Sequence, residues 1–561
     1  MAEGDELLAR GKSPRRAWPW LAALLSLAAW LPSALGAGFS FDDREAVEHN
    51  PVVLGTVPWQ EAFRRDYWEH RGAAGHYRPL ATLTLRLDRA LWGAEEAGFH
   101  LTNVLLHALV VLVAGFLLRR LWAHDRTPWL GLALFAAHPA LADSVAWISG
   151  RSSMLAALFG LWAAWTLARP RSQGSSAPAG LALDFGACLL GTAASMLGKE
   201  DGVLWALVLP CIAFQRARAA GPRVLRAATV GTLGAGCGLA LALFLRALAL
   251  GSPWIQAPHA PLEGVPWTAR LLVAGRGLLE AARILVVPLG HAPNVSGDPA
   301  FGPAALQSNP WPGVLGLSLF AAAGAAALWA LWRARSASAV SLALALAAWT
   351  PFLQWVPSGE VFAPRFLYLP LLLSVPFAGA ALAGVLGLFR ADPGAPDRPR
   401  RPLARLSASL MVLGLCAGCW WRARVYASRA SYRLAVLAER PLDVPSWNDL
   451  GLAYEEQGRA EEALAAWRRA SALDPRYSRA WSNLGRVALA AGRLEEALEL
   501  LTRAVKEGPR NPVAHVNLGS ARLAAGDALG AAECYRRALE LAPGLEAARQ
   551  GLALATQGPT R

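Results

Sequence analysis

Two adjacent carboxylates, Asp42 and Asp43, follow the first long apolar stretch within Phe41-Asp42-Asp43-Arg44-Glu45. Carboxylates side by side at a membrane surface are costly to desolvate and repel each other, which raises the pKa of at least one and suits a general base. An acidic pair after an apolar helix is often only a solvated cap, so its surroundings must carry the argument. His76-Tyr77-Arg78-Pro79-Leu80 brings a cation into the same loop. His100, Asn103 and His107 then recur at helical spacing on one face. As metal ligands they would need a further group from elsewhere. His138, Asp143 and Arg151, then Lys199-Glu200-Asp201, and finally Arg365 also lie in or beside apolar stretches. Ionisable side chains in such settings face a bundle interior or a water-filled cavity.

The elements that must position these residues are apolar helices. Of 561 residues 55% are hydrophobic and 17% charged, which excludes a disordered or fibrous chain. The apolar residues come in blocks long enough, at roughly 1.5 Å per residue, to cross a hydrocarbon core of about 30 Å. Eleven spans are expected, near 17–37, 99–118, 128–147, 153–168, 180–197, 203–215, 225–250, 311–332, 338–357, 366–389 and 403–421. The segment 270–288 carries Arg270, Arg276, Glu280 and Arg283 at helical spacing and suits an interfacial helix better than a span. Leaving it out keeps Arg333, Arg335 and the basic 390–405 loop on the cytoplasmic side. Residues 1–16 are then cytoplasmic, and the C-terminus emerges on the opposite face. Loops 38–98 and 251–310 lie outside, and loops of that length in a compact bundle are more often functional than idle.

The net charge of +14 would raise nucleic acid as a partner in a soluble protein. Here many basic residues sit in short loops between apolar blocks, where they mark the cytoplasmic side and meet anionic lipid heads. A basic stripe with interleaved aromatics is absent, so no nucleic-acid partner is expected. Six cysteines show no paired-ligand spacing beyond Cys416-x-x-Cys419, which lies in an apolar helix and reads as packing.

From about residue 440 the composition changes to soluble helix with a 34-residue period. Trp447, Trp481 and His515 align, as do Gly451, Gly485 and Gly519, then Gly458, Gly492 and Gly526, and Pro475, Pro509 and Pro543. This is the signature of tetratricopeptide repeats: small columns let paired helices approach, and the Pro ends the second helix. Three full repeats plus a partial one are expected over 428–555, after a membrane domain over 17–427. The aligned polar column Asp449, Asn483 and Asn517 is a candidate groove lining, since Asn offers the donor and acceptor that match a peptide bond. These are equally well solvated polar positions, and the column alone does not separate the two.

Taken in order, the acidic pair, Tyr77-Arg78-Pro79-Leu80, Phe99-His100 with Asn103 to His107, His138-Pro139, Gly150-Arg151, Gly198-Lys199-Glu200 and Arg365 to Pro370, followed by the repeats, resemble the transmembrane and tetratricopeptide-repeat O-mannosyltransferases. These belong to the glycosyltransferase C superfamily with the protein O-mannosyltransferases. The resemblance implies an all-α fold and an inverting transfer of a sugar from a polyprenyl-phosphate donor to Ser or Thr of a protein at the extracytoplasmic face. It makes Asp42 or Asp43 the base. A departing phosphate calls for facing cations, for which Arg78, Lys199 and Arg365 are the candidates. His100, Asn103, His107, His138, Arg151 and Glu200 are further polar residues of that face. No cofactor is assigned, and a divalent cation stays open.

The repeat array is shorter than is typical of that family, and the Ala, Arg and Leu richness suggests a bacterial inner-membrane protein. There the carrier would be undecaprenyl phosphate and the sugar need not be mannose. The competing class is a non-catalytic membrane scaffold whose repeats recruit partners for envelope assembly. An acidic pair at the membrane edge has no use in it. A transporter would call for an inverted pair of broken spans, and none stands out.

Overall fold

The computed structural model describes residues 17–35, 37–40, 42–69, 75–122, 127–169, 178–220, 222–253, 262, 264–288, 308–333, 337–349, 362–386 and 400–556. The segment 1–16, the stretches 254–261 and 289–307 of the 251–310 loop, Arg335 and the end of the expected 338–357 span lie outside the described residues. The described residues form helices and turns and contain no strand. The chain divides into two compact units, Met1–Ser428 and Arg429–Arg561.

The first unit is that of a multi-pass membrane protein. Among the described residues six helices are long and apolar enough to cross a membrane: Glu96–Leu121, Pro178–Gly198, Leu225–Leu250, Trp311–Ala330, Pro364–Val385 and Leu406–Tyr426. Trp18–Ala34 and Thr127–Ala136 are apolar but shorter. The described helices thus supply six qualifying spans where the hydropathy of the sequence suggested eleven. Arg151–Leu167, Trp205–Ala220 and Ala337–Ala347, at 17, 16 and 11 residues, fall below the same length.

The expected span 128–147 is corrected outright. Its helix stops at Ala136, and the chain continues through the short turns Pro139–Leu141, Ala142–Val145 and Ile148–Gly150. Pro139 is the cause: it has no N–H to give, and it pushes the residue before it out of helical conformation. His138 accordingly sits at φ −87°, ψ 118°, and its side chain accepts from the Ala140 N–H to cap the next turn. The apolar residues that look like half a span are the buried lining of a folded loop.

Trp267–Val286, the segment read as interfacial, is an amphipathic helix outside the six. Its apolar face buries Val273, Leu278, Ala281 and Ile284. Small residues set the contact with the Trp311–Arg333 helix, since a Cβ on Gly316 would lie 1.8 Å from the Gly275 carbonyl oxygen. Only glycines allow backbones that close.

The second unit opens with Arg429–Glu439 and continues as three helix pairs: Val444–Glu456 with Ala460–Leu473, Ser478–Ala490 with Leu494–Glu507, and Pro512–Ala524 with Ala528–Leu541. Glu546–Thr556 closes it. The glycine column works as the period predicts. A Cβ on Gly451, Gly485 or Gly519 would run into Trp467, Leu501 or Tyr535, the large buried residue of the paired helix. The aligned ring column has a second use. Trp447 and Trp481 donate their ring N–H to the carbonyls of Pro441 and Pro475 at 2.8 and 2.9 Å, and His515 donates to Pro509 at 3.0 Å. Each bond ties a first helix to the Pro that opened the turn before it.

Candidate active site

The two acids of the first loop have different surroundings. Asp43 is fully buried, and both its oxygens are engaged. Oδ2 accepts from the N–H and hydroxyl of Ser40, each at 3.1 Å. Oδ1 accepts from the N–H of Ser149 at 3.0 Å and from its hydroxyl at 3.2 Å. Burial pushes this carboxyl up to about 6, and the four donors hold it from rising further. Asp43 therefore joins the segment entering the Asp43–Val47 helix to the loop ending at Gly150. Asp42 stands one residue earlier at the head of that helix, 8% exposed and within electrostatic reach of Tyr67.

Tyr67 leads from the acids to the cations. Its ring is buried, its phenol lies against Ser149, and burial raises that phenol to about 12. The Arg78 guanidinium carbon is 5.8 Å from the centroid of the same ring. Arg78 is paired with Glu200 at 2.9 Å, and the Tyr77 N–H donates to the other carboxylate oxygen at 3.2 Å. Burial works to raise Glu200, but Arg78 and His76 outweigh it and hold the carboxyl well below its usual range. Lys199 is buried, donates to the Ser153 hydroxyl at 2.8 Å and pairs with Asp201 at 2.9 Å. Burial lowers its ammonium, opposed by Asp201 and assisted by Arg78 and Arg365. Arg365 stacks over Trp147 at 5.0 Å and Phe366 at 5.6 Å, and Lys199 approaches the Phe366 ring at 5.8 Å. Asp42, Asp43, Arg78, Lys199, Glu200 and Arg365 thus come together from four segments of the chain.

The remaining polar residues form a rack that holds this cluster. His100, Asn103 and His107 lie on the buried face of the Glu96–Leu121 helix, and each is matched to backbone of a different segment. His100 donates to the Gly38 carbonyl at 3.2 Å. Asn103 donates to the carbonyls of Trp147 at 2.8 Å and Ile148 at 3.2 Å, fixing the loop that carries Ser149. The His107 Nε2–H donates to Ala136 at 3.4 Å, leaving Nδ1 to accept from the Tyr368 hydroxyl at 2.8 Å. His138 donates to Leu285 at 3.3 Å. Arg151 pairs with Asp88 at 2.6 Å, both buried, and donates to the Phe99 carbonyl at 3.1 Å. Among the described residues no group of three or more His, Cys, Asp or Glu is arranged to hold a metal ion.

In the repeat unit the candidate groove residues are half-buried, the two Asn bonding between successive first helices and Asp449 to the opening helix. Asn483 donates to Asn448 at 2.9 Å, Asn517 donates to Ser482 at 2.9 Å, and Asp449 pairs with Arg433 of the preceding helix at 2.5 Å. One donor of each Asn is therefore committed to holding the stack in register.

The comparisons agree with the motifs. The tetratricopeptide repeat family model matches residues 448–512 and 495–546. Protein O-mannosyl-transferase Tmtc2 of Drosophila melanogaster is 38% identical over 185 residues, 31% of this chain and 19% of that protein. Protein O-mannosyl-transferase TMTC2 of Mus musculus is 35% identical over 189 residues, 33% of this chain and 22% of that protein. The relatives of this chain are named protein O-mannosyl-transferases. The chain spans about a fifth of their length. A crystal structure of MamA protein matches 23% of this chain at 25% identity with a TM-score of 0.21, too low an overlap to carry argument.

The cluster has the Asp42–Asp43 carboxylates at one end and Arg78, Lys199 and Arg365 at the other, with Glu200 and Asp201 paired to the first two cations. Four of its members were not singled out from the sequence: Ser149, Tyr67, Asp88 and Arg246. Arg246 is 5% exposed, donates to the Gly75 carbonyl at 2.6 Å and lies within electrostatic reach of Glu200 and Asp66. Its signal was available, since an arginine inside the apolar block 225–250 must face protein rather than lipid. Ser149, Tyr67 and Asp88 carry no such mark, being ordinary residues in loop or amphipathic sequence.

Proposed function

We propose that this chain is an integral-membrane glycosyltransferase that moves a sugar, mannose or similar, from a polyprenyl-phosphate donor to Ser or Thr hydroxyls of a protein at the extracytoplasmic face. The observation that carries the reading is the joining of the Asp42–Asp43 pair, through Tyr67, to Arg78, Lys199 and Arg365 in a chain whose relatives are named protein O-mannosyl-transferases. Asp42 is the base that takes the acceptor proton as the hydroxyl oxygen attacks the anomeric carbon with inversion. Asp43, all of whose acceptor capacity is committed to Ser40 and Ser149, fixes the loop that presents it. The leaving phosphate gains charge as the bond to the sugar breaks, and Arg78, Lys199 and Arg365 face it.

An apolar groove of about 630 Å³, lined by Phe116, Phe159, Trp162 and Leu190 among others, runs between the helices Glu96–Leu121, Arg151–Leu167 and Pro178–Gly198. The last of these leads directly into Lys199, which suits a donor with a long hydrocarbon tail. The N-terminus is cytoplasmic and the repeats extracytoplasmic, as in a bacterial inner membrane, and the repeats hold the acceptor along Asp449, Asn483 and Asn517.

The test is transfer of radiolabelled sugar from a panel of polyprenyl-phosphate donors to membrane protein, with full-length wild type beside Asp42→Asn and Asp43→Asn. Wild-type transfer lost by on the order of a hundredfold or more in Asp42→Asn supports the reading. Full activity in both variants would sink it, and a folded wild type inert with every donor leaves the scaffold reading in its place.

A further inference from the structure

We propose that Tyr426, with Arg422 and Ala427, is a positioning element for the catalytic loop, bolting both halves of the Asp43 clamp to the end of the last membrane helix. The inference rests on the reading of Asp42 as the base and adds to it a group far away in sequence.

The clamp has two sides. One is the segment 38–40, whose Ser40 donates twice to Asp43 Oδ2; the other is the loop 143–150, whose Ser149 donates twice to Oδ1. Each side is anchored to residues 422–427. The Gly38 N–H donates to the Ala427 carbonyl at 2.8 Å, while the Gly38 carbonyl accepts from His100. A Cβ on Gly38 would stand 2.8 Å from a Glu96 carboxylate oxygen and 3.4 Å from the Ala427 oxygen, so this approach leaves no room for a side chain. On the other side, the Tyr426 hydroxyl donates to Asp143 Oδ1, and Arg422 approaches the same oxygen at 3.6 Å. Asp143, Arg422 and Tyr426 are each 2% exposed or less. The backbone of Asp143 packs on Gly150, where a Cβ would lie 2.4 Å from the Asp143 carbonyl oxygen, next to Ser149.

Nothing in the Asp42–Asp43 motif points to this. Buried, hydrogen-bonded charge groups hold geometry more firmly than apolar contacts, and a shift of about 1 Å in a catalytic group costs on the order of a hundredfold in rate. The bolt comprises the last residues before the repeat unit begins at Arg429.

The experiment uses the full chain in lipid nanodiscs and two variants. Tyr426→Phe removes one hydroxyl and leaves Arg422 beside Asp143. Trp420→Phe is the control: its ring N–H donates to the Ala28 carbonyl from the same helix without touching the clamp. Amide exchange at Gly38, Ser40 and Ser149 is the readout independent of activity. Tyr426→Phe is expected to speed exchange at these amides by about fivefold or more, to lower kcat on the order of tenfold and to leave the donor KM unchanged. Trp420→Phe is expected to do none of these. Unchanged exchange at Ser40 and Ser149, a uniform loosening of the whole unit, or the same response in Trp420→Phe overturns the proposal. If the wild type transfers no sugar from any donor, the glycosyltransferase reading fails, and the exchange pattern alone decides whether the bolt exists.

Discussion

In the repeat unit, the ring N–H of Trp481 reaches a carbonyl six residues back, whereas in the membrane unit Asp43 is held by Ser149 from 106 residues away and Arg78 pairs with Glu200 from 122. The first bond recurs at Trp447 and His515 because each repeat rebuilds the same local geometry; the others occur once. The same contrast holds for charge. Arg151 and Asp88 form a pair with side chains 0% and 2% exposed, while Arg486 and Glu455, across two repeats, are 39% and 38% exposed. Polar groups in the repeats keep a solenoid in register at a water surface. In the buried pairs of the membrane unit they stand where water would, so removing one takes away a partner that solvent does not replace.

The sharpest way to break that contrast is Arg151→Ala. It removes the charged partner of the Asp88 carboxylate and leaves it the Thr102 hydroxyl at 2.8 Å, in a site that already raises its pKa by burial. Breaking one side of a buried pair costs about 3–5 kcal/mol, and the variant should lose most of its folded fraction on thermal unfolding in detergent. The double change Asp88→Leu with Arg151→Met removes both charges and should recover much of the loss. A single variant as stable as wild type would mean that water reaches this pair.

Next in size is a dependence on pH carried by Asp43. Its carboxyl is raised from 3.8 to about 6, which at about 1.4 kcal/mol per unit amounts to roughly 3 kcal/mol. Because the folded value lies above the unfolded one, the contribution is fully present below about pH 4 and is lost as pH rises through about 6. Wild type should therefore lose stability relative to Asp43→Asn between pH 4 and 7, measured by urea unfolding at both. Parallel pH profiles for the two proteins would show that the clamp is solvated.

The same contrast explains what the sequence could disclose. The repeats were legible because Gly451, Gly485 and Gly519 each face a large residue at the same repeat position, Trp467, Leu501 and Tyr535, so a period in sequence is a period in space. The acids and three cations were legible because charged residues beside apolar blocks have few places to go. Their partners were not. Nothing local in Tyr426 marks it as the donor to Asp143, 283 residues away, and nothing in Ser149 marks it as the partner of Asp43. The stretch 128–147 misled for a related reason: hydropathy reads burial in lipid and burial in protein alike, and only Pro139 betrayed the break.

In the repeats a steric change should outweigh an electrostatic one. Gly485→Val places a Cβ 2.5 Å from Leu501 Cγ, a fully buried side chain with nowhere to move, and should cost about 1–3 kcal/mol by thermal unfolding of the full chain. A neutral result would mean that the two helices of that repeat can part without loss, contrary to their packing.

The smallest effect is expected where the geometry looks as good as at the largest. Arg486 and Glu455 approach to 2.6 Å, the same distance as Arg151 and Asp88. Distance alone would rank the two pairs equal. Exposure separates them: at the repeat surface water screens the attraction in the folded state and solvates whichever partner is left, so Arg486→Gln should change stability by less than about 1 kcal/mol. What little the pair contributes should vanish on raising the salt to about 1 M, where the screening length falls to about 3 Å, whereas the penalty of Arg151→Ala should persist there. Equal losses in Arg486→Gln and Arg151→Ala, or equal sensitivity to salt, would remove burial as the distinction between the two units.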